Sequence, residues 1–87
     1  MVSKDFVITT EEGLHMRPAG IVAKEMGKFE SEVSIIFDGK TINAKSLINI
    51  ISACIKKGAE LTFQCDGPDE EAALAKIQEL YDDNFGD

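Results

Sequence analysis

Residues that could bind a metal ion or form a redox pair are scarce in this chain of 87 residues. It has one histidine and two cysteines. Cys54 and Cys65 lie too far apart for a CxxC motif, and one histidine cannot complete a Cys/His zinc site. We therefore expect no metal and no cofactor. Both cysteines are predicted to be buried as small apolar side chains, with a disulfide or a metal role as the minor alternative.

Basic residues are also fewer than acidic residues. Nine lysines and arginines stand against sixteen aspartates and glutamates, which gives a formal net charge of −7. This balance argues against nucleic acid or an anionic membrane surface as the main partner, although a local patch can still be basic.

The chain has no long apolar run, so the sequence predicts no segment inserted in a membrane. Met1 leads directly into the polar residues 3–5 without the apolar segment of a secretory signal, and we expect a cytoplasmic protein. No linker, repeat or low-complexity stretch interrupts the sequence. We expect one domain over residues 1–87, whose modest core suits a single-site carrier or a binding module better than a large multi-step enzyme.

Hydrophobic periodicity predicts four strands and three helices. Alternating apolar residues indicate strands, an Asp-Gly pair indicates a tight hairpin, and apolar residues at helical spacing indicate amphipathic helices. The predicted order is a strand over Phe6–Thr10, a helix over Met16–Lys28, strands over Val33–Phe37 and Lys40–Asn43 around Asp38-Gly39, a short helix after Ser46, a strand over Leu61–Cys65 and a helix from Pro68.

This βαββαβα order predicts an α+β fold, an open-faced β-sandwich with the helices on one face of an antiparallel sheet. The pattern alone does not separate it from a ferredoxin-like βαββαβ domain with an added helix. Residues 84–87 are predicted to be loose.

The tetrapeptide His15-Met16-Arg17-Pro18 is the strongest functional signal. A neutral imidazole is a nucleophile near neutral pH, and a guanidinium gives charge-assisted hydrogen bonds to phosphate. Pro18 belongs in a first helical turn, which places His15 at or just before the N-cap, where backbone N–H groups and the helix dipole favour an anion. Gly13 lets the preceding loop turn tightly. The motif predicts a phosphoryl site at His15 and Arg17, supported by Pro18 and Met16.

The segment from Gly13 to Ala19 resembles the active-site loop of the HPr family, the histidine-containing phosphocarriers of the bacterial phosphoenolpyruvate:sugar phosphotransferase system. The resemblance covers the whole chain, because the strand at Phe6–Thr9, Lys45-Ser46-Leu47 before the second helix, and residues 58–62 before the last strand follow in the same order. It implies an HPr-like sheet of strand order 1-4-2-3.

The resemblance also implies a function. A phosphocarrier of this family accepts a phosphoryl group on Nδ1 of the residue matching His15 from enzyme I, and donates it to enzyme IIA domains of sugar permeases. It is a stoichiometric carrier rather than an enzyme. In one branch of the family a kinase phosphorylates the residue that matches Ser46, and a phosphorylase removes this phosphate. The phosphorylated protein acts with a repressor in carbon catabolite repression.

One docking surface with an apolar part and a basic part is predicted. The second helix has more apolar residues than one buried stripe needs, so we expect Leu47, Ile48 and Ile51 to be exposed, with burial under a loop as the alternative. Arg17, Lys24 and Lys28 lie on one side of the first helix and could supply a basic part, although an ordinary solvated face has the same pattern.

Ser46 itself is predicted to be an N-cap when the family is left aside. Two positions depart from the family pattern: Met16 stands where a small residue is common, and Ala53-Cys54 stands where Leu-Gly is common. These departures bear on partner affinity and on the end of the second helix.

Three other functions remain open at this point. A purely regulatory relative that works through Ser46 would lack the histidine, which this chain has. A nitrogen-related paralogue would use the same chemistry with different partners. A ferredoxin-like domain for ligand sensing or metal delivery belongs to another class, and the missing CxxC weighs against metal delivery.

Overall fold

The computed structural model describes residues 1–86 of the chain. It contains four strands, three α-helices and a final 3₁₀ turn. In chain order these are β1 (Val2–Val7), α1 (Met16–Met26), β2 (Glu32–Phe37), β3 (Lys40–Asn43), α2 (Leu47–Ser52), β4 (Glu60–Asp66), α3 (Glu70–Asp82) and the 3₁₀ turn (Asn84–Gly86).

The four strands form one antiparallel sheet in the order β1-β4-β2-β3. β1 pairs with β4 from Val2 opposite Cys65 to Val7 opposite Glu60. β2 and β3 form a two-residue hairpin whose turn residues, Asp38 and Gly39, have φ values of 52° and 75°. Positive φ at both positions is what a type I′ turn requires. The predicted hairpin and the predicted strand order are therefore confirmed.

One face of the sheet carries the core. Alternate residues of β4, Leu61, Phe63 and Cys65, are buried, and so are Val33 and Ile35 of β2. The side chains of a strand point to opposite faces in turn, so these five residues lie on one side. The helices cover that side, and the α+β open-faced sandwich is confirmed.

Helices α1 and α3 each bury one stripe of side chains. Pro18, Val22 and Met26 are buried on α1, and Ala73 and Ile77 are buried on α3. The helical spacing predicted the α1 residues and Ile77. The other residues that this spacing indicated are only partly buried, and they are Ile21, Phe29, Leu74, Leu80 and Tyr81. None of the helices within residues 1–86 has the length and apolar character that a membrane crossing requires.

Several element boundaries differ from the predictions, and β1 begins at Val2 rather than Phe6. β1 ends at Val7 rather than Thr10, because its partner strand begins at Glu60, the residue opposite Val7. Ile8 still exchanges backbone hydrogen bonds with the turn before β4, donating to the carbonyl of Ala59. α1 ends at Met26, where Gly27 caps it, and α3 begins at Glu70, two residues after Pro68.

The end of the chain was predicted to be loose, and this is wrong for residues 84–86. Phe85 is 1% exposed and packs edge-on against Tyr81, with ring centroids 5.9 Å apart. The Thr9 hydroxyl donates a 3.1 Å hydrogen bond to the side-chain oxygen of Asn84. An aromatic ring that enters the core fixes the turn that carries it. Asp87 lies outside the described residues.

The two cysteines have different environments, so the prediction that both are buried is half wrong. Cys65 is buried on the inner face of β4, and burial raises the pKa of its thiol to about 11. Cys54 is exposed, because the chain leaves α2 with a positive φ of 54° at this residue and turns its side chain away from the core.

Asp69 joins the start of α3 to the segment that precedes β2. Its carboxylate accepts hydrogen bonds from the backbone N–H groups of Glu30 (2.9 Å) and Ser31 (2.8 Å) and from the Ser31 hydroxyl. The Ser31 hydroxyl and the Glu30 amide hold the pKa of this carboxyl at about 2, below the ordinary value of 3.8. The charged form is therefore favoured in the folded protein.

We expect Asp69 to stabilise the fold only where it is ionised. A carboxyl with a lowered folded-state pKa contributes stability above its unfolded pKa and loses it as the pH falls from about 4 to about 2. Asp69→Asn should therefore be less stable than the parent near pH 7, and the gap between their free energies of unfolding should close toward pH 2. Urea unfolding at several pH values measures it. Asp38→Asn, in the exposed hairpin turn, is the control, and a gap that stayed constant with pH would contradict the expectation.

Candidate functional site

The loop before α1 is held by hydrogen bonds at both ends. The buried Thr10 donates its hydroxyl to the Gly13 carbonyl at 2.7 Å, and the Gly13 N–H donates to the Thr10 carbonyl at 3.1 Å. The Leu14 N–H donates to the Ile55 carbonyl at 2.9 Å, and the Leu14 side chain is buried. The loop is thus tied to itself and to the segment after α2.

Gly13 is needed for two reasons. Its φ of +72° lies in the left-handed region that residues other than glycine rarely adopt. A Cβ at this position would lie 2.1 Å from the Ile55 carbonyl oxygen and 2.6 Å from the Lys56 Cα. Both neighbours are backbone atoms, which cannot move aside as the end of a side chain can.

His15 is the N-cap residue of α1, as the sequence predicted. Its backbone is extended, with φ −80° and ψ −165°, and its carbonyl accepts the Ala19 N–H at 2.9 Å. Pro18 is the third helical residue and is buried. The imidazole is partly accessible, with 31% of its side chain exposed, and Nε2 lies 3.7 Å from Oε2 of Glu12.

The first turn of α1 is suited to an anion. Its backbone N–H groups lie at the positive end of the helix dipole, and none of its residues is acidic. Arg17 is in this turn and exposed. A phosphoryl group carried on the imidazole would meet this positive end.

Helix α2 begins with the cap that the sequence predicted. The Ser46 hydroxyl accepts the Asn49 N–H at 3.3 Å, and Ile50 is buried. Ile48 is 75% exposed and Ile51 is 36% exposed, which confirms two of the three predicted surface residues. The third prediction is wrong in degree: Leu47 is half-buried, because its side chain packs against the core.

The three predicted basic residues are all exposed, but they do not share one helix. Arg17 and Lys24 lie on α1, whereas Lys28 lies two residues beyond its end. Lys28 also pairs with Glu25 at 3.1 Å, and this contact is the main cause that lowers the pKa of the Glu25 carboxyl. Part of the charge on Lys28 is therefore already offset.

Two residues have features at the site that the sequence did not indicate. Met16, expected to support the site, is 65% exposed and adds a large apolar side chain to the surface beside His15. Glu12, which the sequence offered only as part of a turn, faces the imidazole. Rotamers in an irregular loop follow no periodicity, so the sequence had no signal for this contact. Within residues 1–86, no group of three potential ligands could hold a metal ion.

Comparison with known proteins gives one family. The family model described as the PTS HPr component phosphorylation site matches residues 2–83. Phosphocarrier protein HPr of Mycoplasma capricolum subsp. capricolum is 43% identical over 77 residues, which cover 88% of this chain and 86% of that protein.

Solved structures agree with this match. The crystal structure of HPr-C-His from Thermoanaerobacter tengcongensis superposes with a TM-score of 0.95 at 32% identity, covering 100% of this chain and 98% of that chain. The Bacillus subtilis catabolite repression protein Crh, described as a domain-swapped dimer, superposes with a TM-score of 0.72 at 32% identity, covering 99% and 94%.

We expect the backbone contact at Gly13 to control stability. Gly13→Ala must leave the left-handed region or strain it, at about 1–2 kcal/mol, and must also displace the Ile55 backbone. Gly39→Ala is a matched control, because Gly39 has φ +75° and a Cβ there would meet nothing within 4 Å. Gly13→Ala should lose about 1–3 kcal/mol more than the control in urea unfolding. Equal losses of unfolding free energy in the two variants would show that a Cβ against the Ile55 backbone does not destabilise the protein.

Proposed function

We propose that His15 is the phosphoryl acceptor of this chain, because the chain belongs to the HPr family of phosphocarrier proteins of the phosphotransferase system. The observation that carries the assignment is the position of the imidazole at the N-cap of α1, partly exposed and followed by a first turn without acidic residues. A phosphoryl group on Nδ1, the acceptor atom that the family implies, is favoured there by the backbone N–H groups and the helix dipole.

Arg17 is proposed to act on the transferring group. Phosphoryl transfer spreads negative charge over the oxygens of the group, and a guanidinium supplies charge-assisted hydrogen bonds to them. Pro18 holds the first turn in place from its buried position. The partner proteins supply the rest of the catalytic apparatus, so the chain acts as a stoichiometric carrier and not as a self-sufficient enzyme.

The proposed partners are enzyme I as donor and enzyme IIA domains as acceptors. This relay begins with phosphoenolpyruvate, a metabolite of the cytoplasm, and we place the carrier in that compartment. The domain that carries the site is proposed to comprise residues 1–87. No cofactor is required, because the phosphoryl group itself is the cargo.

The docking surface is proposed to combine an apolar and a basic part. Ile48, Ile51 and Met16 are large exposed apolar side chains, and Leu47 adds the exposed part of its side chain. Arg17, Lys24 and Lys28 supply positive charge on a protein whose formal net charge is −7. Local positive charge near the site speeds the encounter with an acidic partner more than it raises final affinity.

Ser46 is proposed as a regulatory phosphorylation site. The support is its place at the N-cap of α2, next to Leu47 and two residues before the exposed side chain of Ile48. A Ser46 kinase and phosphorylase and a catabolite-control repressor would then be further partners. The similarity to Crh favours such a role beside the phosphocarrier role, while His15 separates this chain from a purely regulatory relative. A nitrogen-related paralogue with the same chemistry is the alternative.

The central test is phosphorylation by enzyme I and phosphoenolpyruvate. We expect the parent to gain one phosphoryl group that is stable to alkali and labile to acid, because a phosphoramidate hydrolyses once its ring is protonated. Intact mass under alkaline conditions measures it. His15→Ala should gain none, and a thermal melt should show that the variant is folded. Phosphate on a folded His15→Ala protein would contradict the assignment.

We expect negative charge at Ser46 to slow this reaction without unfolding the protein. A charge at the N-terminus of α2 is favoured by the helix dipole, so the thermal melting temperature should hold or rise. Beside Ile48 the same charge opposes docking of an acidic partner, and Ser46→Asp should lower the rate by about two- to fivefold, with phosphoserine acting more strongly.

Ser3→Asp is the control for Ser46→Asp. It adds the same charge at an exposed position of β1 and should leave the rate unchanged. Equal rates for parent, Ser46→Asp and the Ser46-phosphorylated protein, or a loss explained by unfolding, would leave Ser46 as a helix cap only.

A further inference from the structure

The carboxylate of Glu12 is a charged group that the structure puts against the functional imidazole. Its Oε2 lies 3.7 Å from Nε2 of His15, three residues along the chain. The contact is too long for a hydrogen bond, but side chains at a site often approach more closely when the reacting partner is bound. Glu12 is 75% exposed in its side chain and the imidazole is 31% exposed, so rotation of Glu12 is not blocked by packing.

The neighbouring acidic residue is engaged elsewhere. Glu11 pairs with Lys57 at 3.1 Å, whereas Glu12 is directed to the ring. The backbone between Glu12 and His15 lies against Ile55, whose carbonyl accepts the Leu14 N–H. The two adjacent carboxylates therefore form a natural pair for comparison, with similar exposure and different partners.

We propose that Glu12 is a positioning residue that keeps the proton of the neutral imidazole on Nε2 and leaves the Nδ1 lone pair for phosphorus. This inference rests on the proposed function of His15. A carboxylate beside one ring nitrogen favours the tautomer protonated there, in the way that a third group orients the base of a nucleophilic pair.

The proposal gives a balanced transfer step. Nδ1 attacks phosphorus, a new N–P bond forms, and the bond from phosphorus to the donor's leaving group breaks with its electron pair going to the donor. Nε2 keeps its hydrogen throughout, so the ring becomes positively charged as the bond forms. Glu12 faces the N–H edge where that charge is shared, and it offsets the charge without blocking Nδ1. In donation a nucleophile of the acceptor protein forms a bond to phosphorus, and the electron pair of the N–P bond returns to Nδ1.

The first readout is the tautomer of the neutral ring. Nitrogen-15 NMR of His15 in mildly alkaline solution distinguishes a proton on Nε2 from one on Nδ1. Glu12→Ala should shift the ratio of the two tautomers toward Nδ1–H by about two- to fivefold, the effect of an exposed charge pair. Glu11→Ala, the matched control, should keep the parent ratio. An unchanged ratio in Glu12→Ala would overturn the proposal.

The second readout is the rate of phosphoryl transfer from enzyme I in a single turnover at saturating donor, which removes differences in docking. Glu12→Ala should be slower by about two- to fivefold. Glu12→Gln keeps an acceptor oxygen without the charge, so it should retain part of the tautomer ratio and still transfer slowly. Glu11→Ala should match the parent.

The proposed function of His15 and the proposed role of Glu12 would fail in different ways. A parent protein that gains no phosphoryl group would overturn the proposed function itself. A parent that is phosphorylated at His15, with Glu12→Ala equal to it or faster at saturating donor, would overturn only the role of Glu12.

Discussion

The close approach of the Gly13 backbone to the Ile55 carbonyl is the contact on which the site depends. It brings the loop before α1 against the segment after α2, with no room for a Cβ between them. The adjacent hydrogen bond from Leu14 to Ile55 fixes the last residue before His15. The imidazole and the exposed side chains of α2 are thereby held in one arrangement, although Ile48 and Ile51 follow His15 by 33 and 36 positions along the chain.

The N-cap position of His15 is the basis of the chemistry proposed for the site. Pro18, buried in the first turn, anchors the helix start, and the first turn presents dipole and N–H groups to the ring. The same principle operates at α2, where Ser46 caps a second helix start. In the proposed mechanism both helix N-termini stabilise a negative charge. At α1 the charge is the phosphoryl group on His15, and at α2 it is the phosphate proposed on Ser46.

The sequence predicted the parts of the structure that follow local rules. The hairpin at Asp38-Gly39, the capped start of α2 and the buried stripes of α1 and α3 arise from turn chemistry and periodicity. The strand order came instead from the family resemblance. The predictions that were wrong concern residues whose placement depends on distant partners or on where an element ends. Phe85 is buried because its ring meets Tyr81, and Cys54 turns outward because α2 stops after six residues, which no helical spacing can indicate.

The pairing of β1 with β4 also has a consequence for how the chain acquires its structure. Val2 lies opposite Cys65, so the first strand can pair only with a strand from the last third of the sequence. Contacts between such distant residues form slowly, because a long loop must close before they contribute free energy. The His15 loop depends on Ile55 in the same way. The loop that carries His15 can therefore take its final form only after the segment beyond α2 has been synthesised, so we expect the proposed phosphoryl site to form late, together with the sheet.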